Sequence, residues 1–229
     1  MTTAGDSSQP QSKPRVLPLS GVILAAGEGT RFGGPKALAY LGDESLACLA
    51  VRKLRASGVA DIIIVTGAAA DKVASAIVPC ASGHTPPIRM VHNPDWHDGL
   101  ISSVKAGLAA VPKTCVGAML LPVNFPLVTE RTLQVLAQLF VQESCAEGKI
   151  MLPFVDGKPG MPVIVGRLLF EEFSIIYGEN PMLTLVNTMP GRAVGISVDD
   201  PGTQFAIITR SDVLAAMKIM FDEEYSQPT

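Results

Sequence analysis

The sequence predicts an α/β protein, a three-layer α/β/α sandwich built on a mostly parallel, Rossmann-like sheet. Two observations predict it. Short unbroken apolar runs alternate with longer segments of helical period, and a glycine-rich loop follows the first of those runs. Unbroken apolar strands are the kind buried on both faces, and strand–helix alternation at this rhythm implies right-handed crossovers with helices on both sides of the sheet.

Leu17–Ala26 reads as the first buried strand. Ser45–Ser57 carries apolar residues at 46, 49, 50 and 54, one face of a helix, with Gly58 to stop it. Asp61–Thr66 is a β-branched strand, Ala69–Ile77 a short helix and Ile88–His92 a third strand. Leu100–Val111 reads as a helix closed by Pro112, with Asp98 as its expected cap, and Val116–Val123 as the fourth strand. Glu130–Gln142 is a helix capped by Thr129. Beyond it come strands at 149–154 and 161–165, helices near 168–177 and 181–188, a strand at 193–198 and a last helix from about 211.

The 229 residues show no internal repeat and no linker, so one domain is expected over residues 16–222. A polar Ser/Gln/Pro-rich leader (1–15) precedes it, and a short tail (223–229) follows. With 48% hydrophobic residues, the chain has enough apolar surface to offset the entropy of ordering, which excludes a disordered protein. The 18 basic and 21 acidic residues leave a net charge of −3 with no Lys/Arg block, which argues against a nucleic-acid partner. Gly21–Ala26 and Ile62–Val65, the longest apolar stretches, are far short of the ~20 residues that a membrane span requires. Cys48, Cys80, Cys115 and Cys145 lie far apart without a C-x-x-C, so reduced thiols and a cytoplasmic location are expected.

In open α/β sheets, ligands bind where loops leave the carboxyl ends of the strands. The first such loop is LAAGEGTRFGGPK, Leu24 to Lys36. Gly27 and Gly29 permit positive φ and close backbone approach, so that amides can face phosphate oxygens. Arg31 offers a planar fork of donors and Lys36 a mobile point charge, both suited to polyphosphate. Two other phosphate loops fail on chemistry. A Walker A loop would need a hydroxyl after Lys36 and a backbone N–H before it, where Ala37 and Pro35 stand. A dinucleotide fingerprint would need glycine at Phe32 and an acid at the end of the second strand, which instead runs into Thr66 and Gly67.

The string L-A-A-G-x-G-x-R-x-G-x-x-K resembles the signature of the NTP-transferase (nucleotidyltransferase) superfamily, whose fold is that of the nucleotide-diphospho-sugar transferases. The resemblance implies that Leu24, Ala25, Ala26, Gly27 and Gly29 wrap a triphosphate, with Gly67 nearby. It also implies that Arg31 and Lys36 are catalytic, stabilising charge at the α-phosphate and the leaving pyrophosphate. A second stretch, HNPDWHDGLISSVKAGL (His92–Leu108), is similar to the N-P-x-W-x-x-G-x-x-x-S segment of molybdenum cofactor cytidylyltransferases, the MobA-like branch. There Asn93, Gly99, Ser102 and Ser103 would lie near base and sugar, while A-A-G in the first motif favours CTP over GTP. N-P-D also forms a turn by its own chemistry, and His92, Asp95, His97 and Asp98 read as solvated loop residues rather than a metal site.

LLPVNFPLVT (Leu120–Thr129) resembles the family's D-x-P-L-V element, whose Asp holds Mg²⁺; here Asn124 takes that position as a weak ligand. VDDPGTQFAIITRSDV (Val198–Val213) resembles the element bearing the second metal acid. Ala206 and Ile208 stand at its acidic positions and Arg210 replaces its proline. The resemblance implies transfer of a nucleoside monophosphate from an NTP to a phosphorylated acceptor such as molybdopterin, with Mg²⁺ as cofactor and release of pyrophosphate. The lost carboxylates keep open a non-catalytic nucleotide- or pterin-binding partner of a molybdoenzyme. A nicotinamide-dependent oxidoreductase is the third and least favoured reading.

Overall fold

A computed structural model describes residues 16–81, 85–144, 146–175 and 191–225 of the chain. In order, the strands are β1 (Leu17–Ala25), β2 (Tyr40–Leu41), β3 (Glu44–Ser45), β4 (Val59–Thr66), β5 (Ile88–His92), β6 (Gly117–Pro122), β7 (Ile150–Val155), β8 (Lys158–Pro159), β9 (Val163–Gly166) and β10 (Ala193–Ser197). The α-helices among the described residues are α1 (Leu46–Ala56), α2 (Ala70–Ala81), α3 (Leu100–Ala109), α4 (Glu130–Gln142) and α5 (Arg210–Tyr225). The main sheet runs β10-β7-β9-β6-β1-β4-β5, with β8 paired to β7. All of its neighbours along that path are parallel except β9, which runs antiparallel to β6 and β7.

The alternation of side chains along β1 and β4 explains the two-sided burial. Leu19, Ile23, Ile62 and Ile64 enter one core with residues of α1, α2 and α4. Val22, Leu24, Ile63 and Val65 enter a second core with Ile101, Val104 and Leu108 of α3. Each strand therefore carries an unbroken apolar run, Val22–Ala25 in β1 and Ile62–Val65 in β4, as expected of a strand buried on both faces. The expected face of α1, Leu46, Leu49, Ala50 and Leu54, is buried, and Ser45 caps the helix by accepting a hydrogen bond from the Cys48 N–H. Gly58, at φ 84°, turns the chain out of it. Thr129 caps α4 as expected, its Oγ accepting from the Thr132 N–H.

Several expectations need correction. Asp98 does not cap α3: the N-cap is Gly99, whose φ of 92° only glycine adopts readily. The Asp98 carboxylate instead lies 3.5 Å from His97 Nε2, both side chains being exposed. Helix α2 continues past Ile77 through Pro79, and this continuation places Cys80 against Cys48. The two form a disulfide (Cα–Cα 5.5 Å), so they are not the reduced thiols their spacing suggested. Packing of α1 on α2 brings together residues 32 apart, which spacing rules do not reveal. Cys115 is free and buried, and Cys145 lies outside the described residues. The region expected as a helix near 168–177 contains two short 3₁₀ turns, Arg167–Leu169 and Glu172–Ile175. The leader and the 181–188 helix lie outside the described residues, and α5 reaches Tyr225, inside the expected tail. The small β2–β3 hairpin went unforeseen.

Gly117 marks how closely β6 is packed: a Cβ there would meet the Val165 carbonyl at 2.6 Å and the Phe140 ring at 2.8 Å. Gly117→Ala is expected to destabilise the fold by about 1–3 kcal/mol through overpacking, read as a lower urea midpoint. An unchanged midpoint would show that β9 and Phe140 yield freely.

Candidate functional site

The order in which strands are added reverses at β1. From β1 the chain adds β4 and β5 on one side, then returns to place β6 on the other. Loops from the carboxyl ends of β1 and β6 thus part around a crevice, the place where open α/β sheets bind ligands. A cavity of about 240 Å³ lies there. Leu24, Ala25, Ala26, Gly27 and Gly29 line it from β1 and its loop, Pro122, Val123 and Asn124 from the end of β6 and the loop after it, and Gly99, Leu100 and Ser103 from the start of α3; Lys36, Ala37 and Trp96 complete the wall.

The glycine loop is shaped by one carbonyl. Gly29 O accepts from the N–H groups of Phe32 (2.9 Å), Gly33 (2.9 Å) and Gly34 (3.1 Å). Gly29 itself is at φ 71°, and a Cβ on it would lie 2.0 Å from Gly34 O, so only glycine fits. Gly27 is not among the residues of positive φ, contrary to expectation; Gly33 and Gly34 are. The tight turn returns Lys36, half-buried, to the cavity, whereas Arg31 is exposed on the rim of the loop and does not line it. Burial foremost, and then the Arg31 guanidinium, hold the Lys36 ammonium below its ordinary pKa; Asp212 opposes them.

Other predicted site residues support the wall from behind. Asn93 is buried, and its Nδ2 donates to Ser102 Oγ (2.9 Å) and Ser103 Oγ (3.1 Å) while its Oδ1 accepts from the Asp95 N–H. It braces the end of β5 to the first turn of α3; of this trio only Ser103 lines the cavity. Gly67 is outside the lining too. A Cβ there would fall 2.5 Å from Trp96 Cβ and 2.6 Å from Ala26 O, so glycine is what lets Trp96 seat against the loop.

The two segments that carry the expected metal positions meet through Asn124 and Ile207. Asn124 Nδ2 donates to Ile207 O (3.3 Å), and the Ile207 N–H donates to Asn124 O (2.8 Å). Yet no carboxylate lines the cavity, and among the described residues no three His, Cys, Asp or Glu side chains converge on a metal position. Asp200 is buried and accepts from Thr129 N–H, Thr129 Oγ and Gly202 N–H. Asp212 accepts from the N–H groups of Ile208 and Thr209 and from Thr209 Oγ at the start of α5. Mg²⁺ is held through one or two carboxylates together with phosphates and water, so this donor set does not fit it.

The roles of two residues escaped the sequence reading. Arg210 Nε donates to Phe32 O (3.3 Å), and its guanidinium sits 5.6 Å from the Phe32 ring centroid, so it grips the glycine loop from outside. Its signal was a cation in the place of a proline. Lys53 on α1, 9% exposed, donates from Nζ to Pro126 O and Val128 O. It thereby ties down the loop that carries Asn124, and nothing local in α1 announces this.

Burial, with a smaller contribution from Arg52, lowers the Lys53 pKa from 10.5 to about 8; Asp200, Glu130 and Glu44 act in the opposite sense. Below pH 8 the native state carries an unfavourable buried ammonium, worth about 3 kcal/mol. Between about pH 8 and 10.5 the unfolded chain keeps a proton that the native state has released, so stability rises with pH across that window. Lys53→Met is expected to flatten that rise relative to wild type in urea midpoints; Lys36 contributes equally to both proteins, so the difference isolates Lys53. Parallel pH profiles would refute this assignment.

Comparison with known proteins identifies the family and the fold. Residues 21–192 match the profile of the MobA-like NTP transferase domain. Nicotine blue oxidoreductase of Paenarthrobacter nicotinovorans is 41% identical over 93 residues, 40% of this chain and 43% of that protein. The chain's matches span less than half the length of the curated relatives. A nucleotidyl transferase from Methanothermobacter thermautotroptrophicus shares the fold at TM-score 0.75 and 22% identity, covering 90% of this chain and 98% of that one. A Mycobacterium tuberculosis protein solved in complex with manganese has a TM-score of 0.66 at 22% identity, with 89% and 99% covered.

Proposed function

Because the chain belongs to the MobA-like NTP transferase domain family, we propose that its cavity binds a nucleoside triphosphate and transfers the nucleoside monophosphate to a phosphorylated acceptor. The single observation that carries this is the return of Lys36 to the cavity beneath the Gly29 turn, with Arg31 on the same loop. CTP is the favoured donor and molybdopterin the favoured acceptor, both through the motif resemblance. The cytoplasm, where nucleoside triphosphates are abundant, is the proposed setting. Among the described residues no helix is long and apolar enough to cross a membrane.

In this mechanism an acceptor phosphate oxygen attacks the α-phosphorus in line and forms the new P–O bond. The bond from the α-phosphorus to the bridging oxygen breaks, and pyrophosphate leaves with that oxygen. Phosphoryl-type transfer depends on positioning and charge neutralisation more than on proton transfer. Lys36 and Arg31 supply the positive charge at the α-phosphate and the departing pyrophosphate. Trp96 and Leu100 offer the base an apolar surface, with Gly99 and Ser103 beside it. Asn93, through its bonds to Ser102 and Ser103, keeps that wall in place.

A second reading rests on the 41% identity with an oxidoreductase. On that reading the same loop would hold the diphosphate of a nicotinamide cofactor.

Each of the four common nucleoside triphosphates is to be tested for a rise in melting temperature, expected with at least one and abolished by Lys36→Ala; no rise with any removes the transferase reading. Pyrophosphate release with CTP and molybdopterin is expected from wild type. Turnover confined to Asn124→Asp would make the natural chain a binding partner of molybdoenzyme maturation instead. Quenching of Trp96 fluorescence by NADH or NADPH, with no response to triphosphates, would establish the redox reading.

A further inference from the structure

The glycine loop carries one carboxylate, Glu28, which is exposed and outside the cavity lining, and three cations stand on or against the loop. Lys36 and Arg31 repel each other closely enough for Arg31 to depress the Lys36 pKa, and Arg210 adds a third cation against Phe32. No acidic side chain lines the cavity. The carboxylate that acts on Lys36, Asp212, is engaged by two backbone N–H groups and a hydroxyl of its own turn. Asp200 faces away into the bonds of Thr129 and Gly202. The Asn124 amide turns its NH₂ to Ile207 O, and the side chain that follows, Ile208, is apolar and 38% exposed.

A divalent cation placed here would enter a field set by like charges, with one neutral amide to hold it. Mg²⁺ gives up its waters reluctantly and needs charged oxygens in return. A polyphosphate has the opposite requirement. It meets an ammonium, a guanidinium and a loop already tightened around Gly29.

We propose that the cavity binds the polyphosphate of its nucleotide as the metal-free anion, Lys36 and Arg31 supplying the neutralisation that a divalent cation supplies elsewhere and Arg210 holding the loop that presents them. This rests on the glycine loop being the phosphate cradle, and it deepens that reading by defining the ionic form of the ligand. It also separates this chain from a metal-organised site: the charge is built into the backbone's own loop and does not depend on cation supply.

The test is calorimetric titration of the full chain with inorganic tripolyphosphate and, separately, with CTP, each in EDTA and in excess Mg²⁺. Affinity in EDTA is expected to equal or exceed that in Mg²⁺, because Mg²⁺ competes with Lys36 and Arg31 for phosphate oxygens. Lys36→Ala is expected to weaken binding in EDTA by about tenfold or more. Asn124→Asp, which adds a carboxylate beside Ile207, is expected to make binding Mg²⁺-dependent. If the natural chain loses about tenfold or more in affinity on removal of Mg²⁺, the proposal is overturned while the phosphate cradle stands. If neither probe binds in either condition, the cradle itself fails, and the proposal with it. The wild-type comparison decides the matter even where a variant folds poorly.

Discussion

Hydrogen bonding on both edges of β1 is the constraint from which the site follows. Its residues pair in parallel with β4 as far as Ala25 and with β6 as far as Leu24. Its side chains alternate between two packed cores, so neither edge nor face leaves room for the strand to shift. The chain therefore emerges at Ala26 from a fixed point. The Gly29 carbonyl, gathering three amides, then folds it back within a few residues. A charged side chain on such a turn is positioned by backbone geometry and not by its own contacts, which is how Lys36 reaches the cavity half-buried without a direct ion pair among the described residues.

The opposite wall needs a different device. The loop after β6 bears Asn124 and then a Phe-Pro-Leu-Val run before α4. Its carbonyls at Pro126 and Val128 face inward, where unpartnered they would be costly to bury. Lys53 satisfies both, and Asp200 takes the N–H and hydroxyl of Thr129 from the other side. Burying an ammonium to do so is unfavourable, as its lowered pKa records. The return is a loop fixed to α1 and to the 200–204 turn, so that the two walls of the cavity hold their separation.

Charge is distributed unevenly between these walls. The β1 side carries Lys36 and Arg31, and the β6 side presents the Asn124 amide, with Ala206 and Ile208 standing where the related motif has acids. That asymmetry bears on both functional readings, since triphosphates and dinucleotides alike offer phosphate oxygens to the first wall. They differ in what they ask of the second.

Much of this could be read from the sequence because it is written locally. Apolar runs fixed the strands, the 46/49/50/54 spacing fixed the buried face of α1, and Thr129 marked the start of α4. The glycine loop pointed to the end of a central strand as the place for a site, and a cavity lies there. What could not be read depends on segments that meet only after the sheet is assembled: Cys48 with Cys80, Lys53 with Pro126 and Val128, and Arg210 with Phe32, 178 residues away. Asp98 shows the same limit at short range, because a cap is decided by backbone torsion, and Gly99 set it. Sequence by itself determined the periodicities and the residue types of the loop, since hydrophobic burial and glycine's freedom act over a few residues. Tertiary structure alone decided which distant charges and thiols share a neighbourhood, because contact energies arise only once packing has brought the partners within a few ångströms.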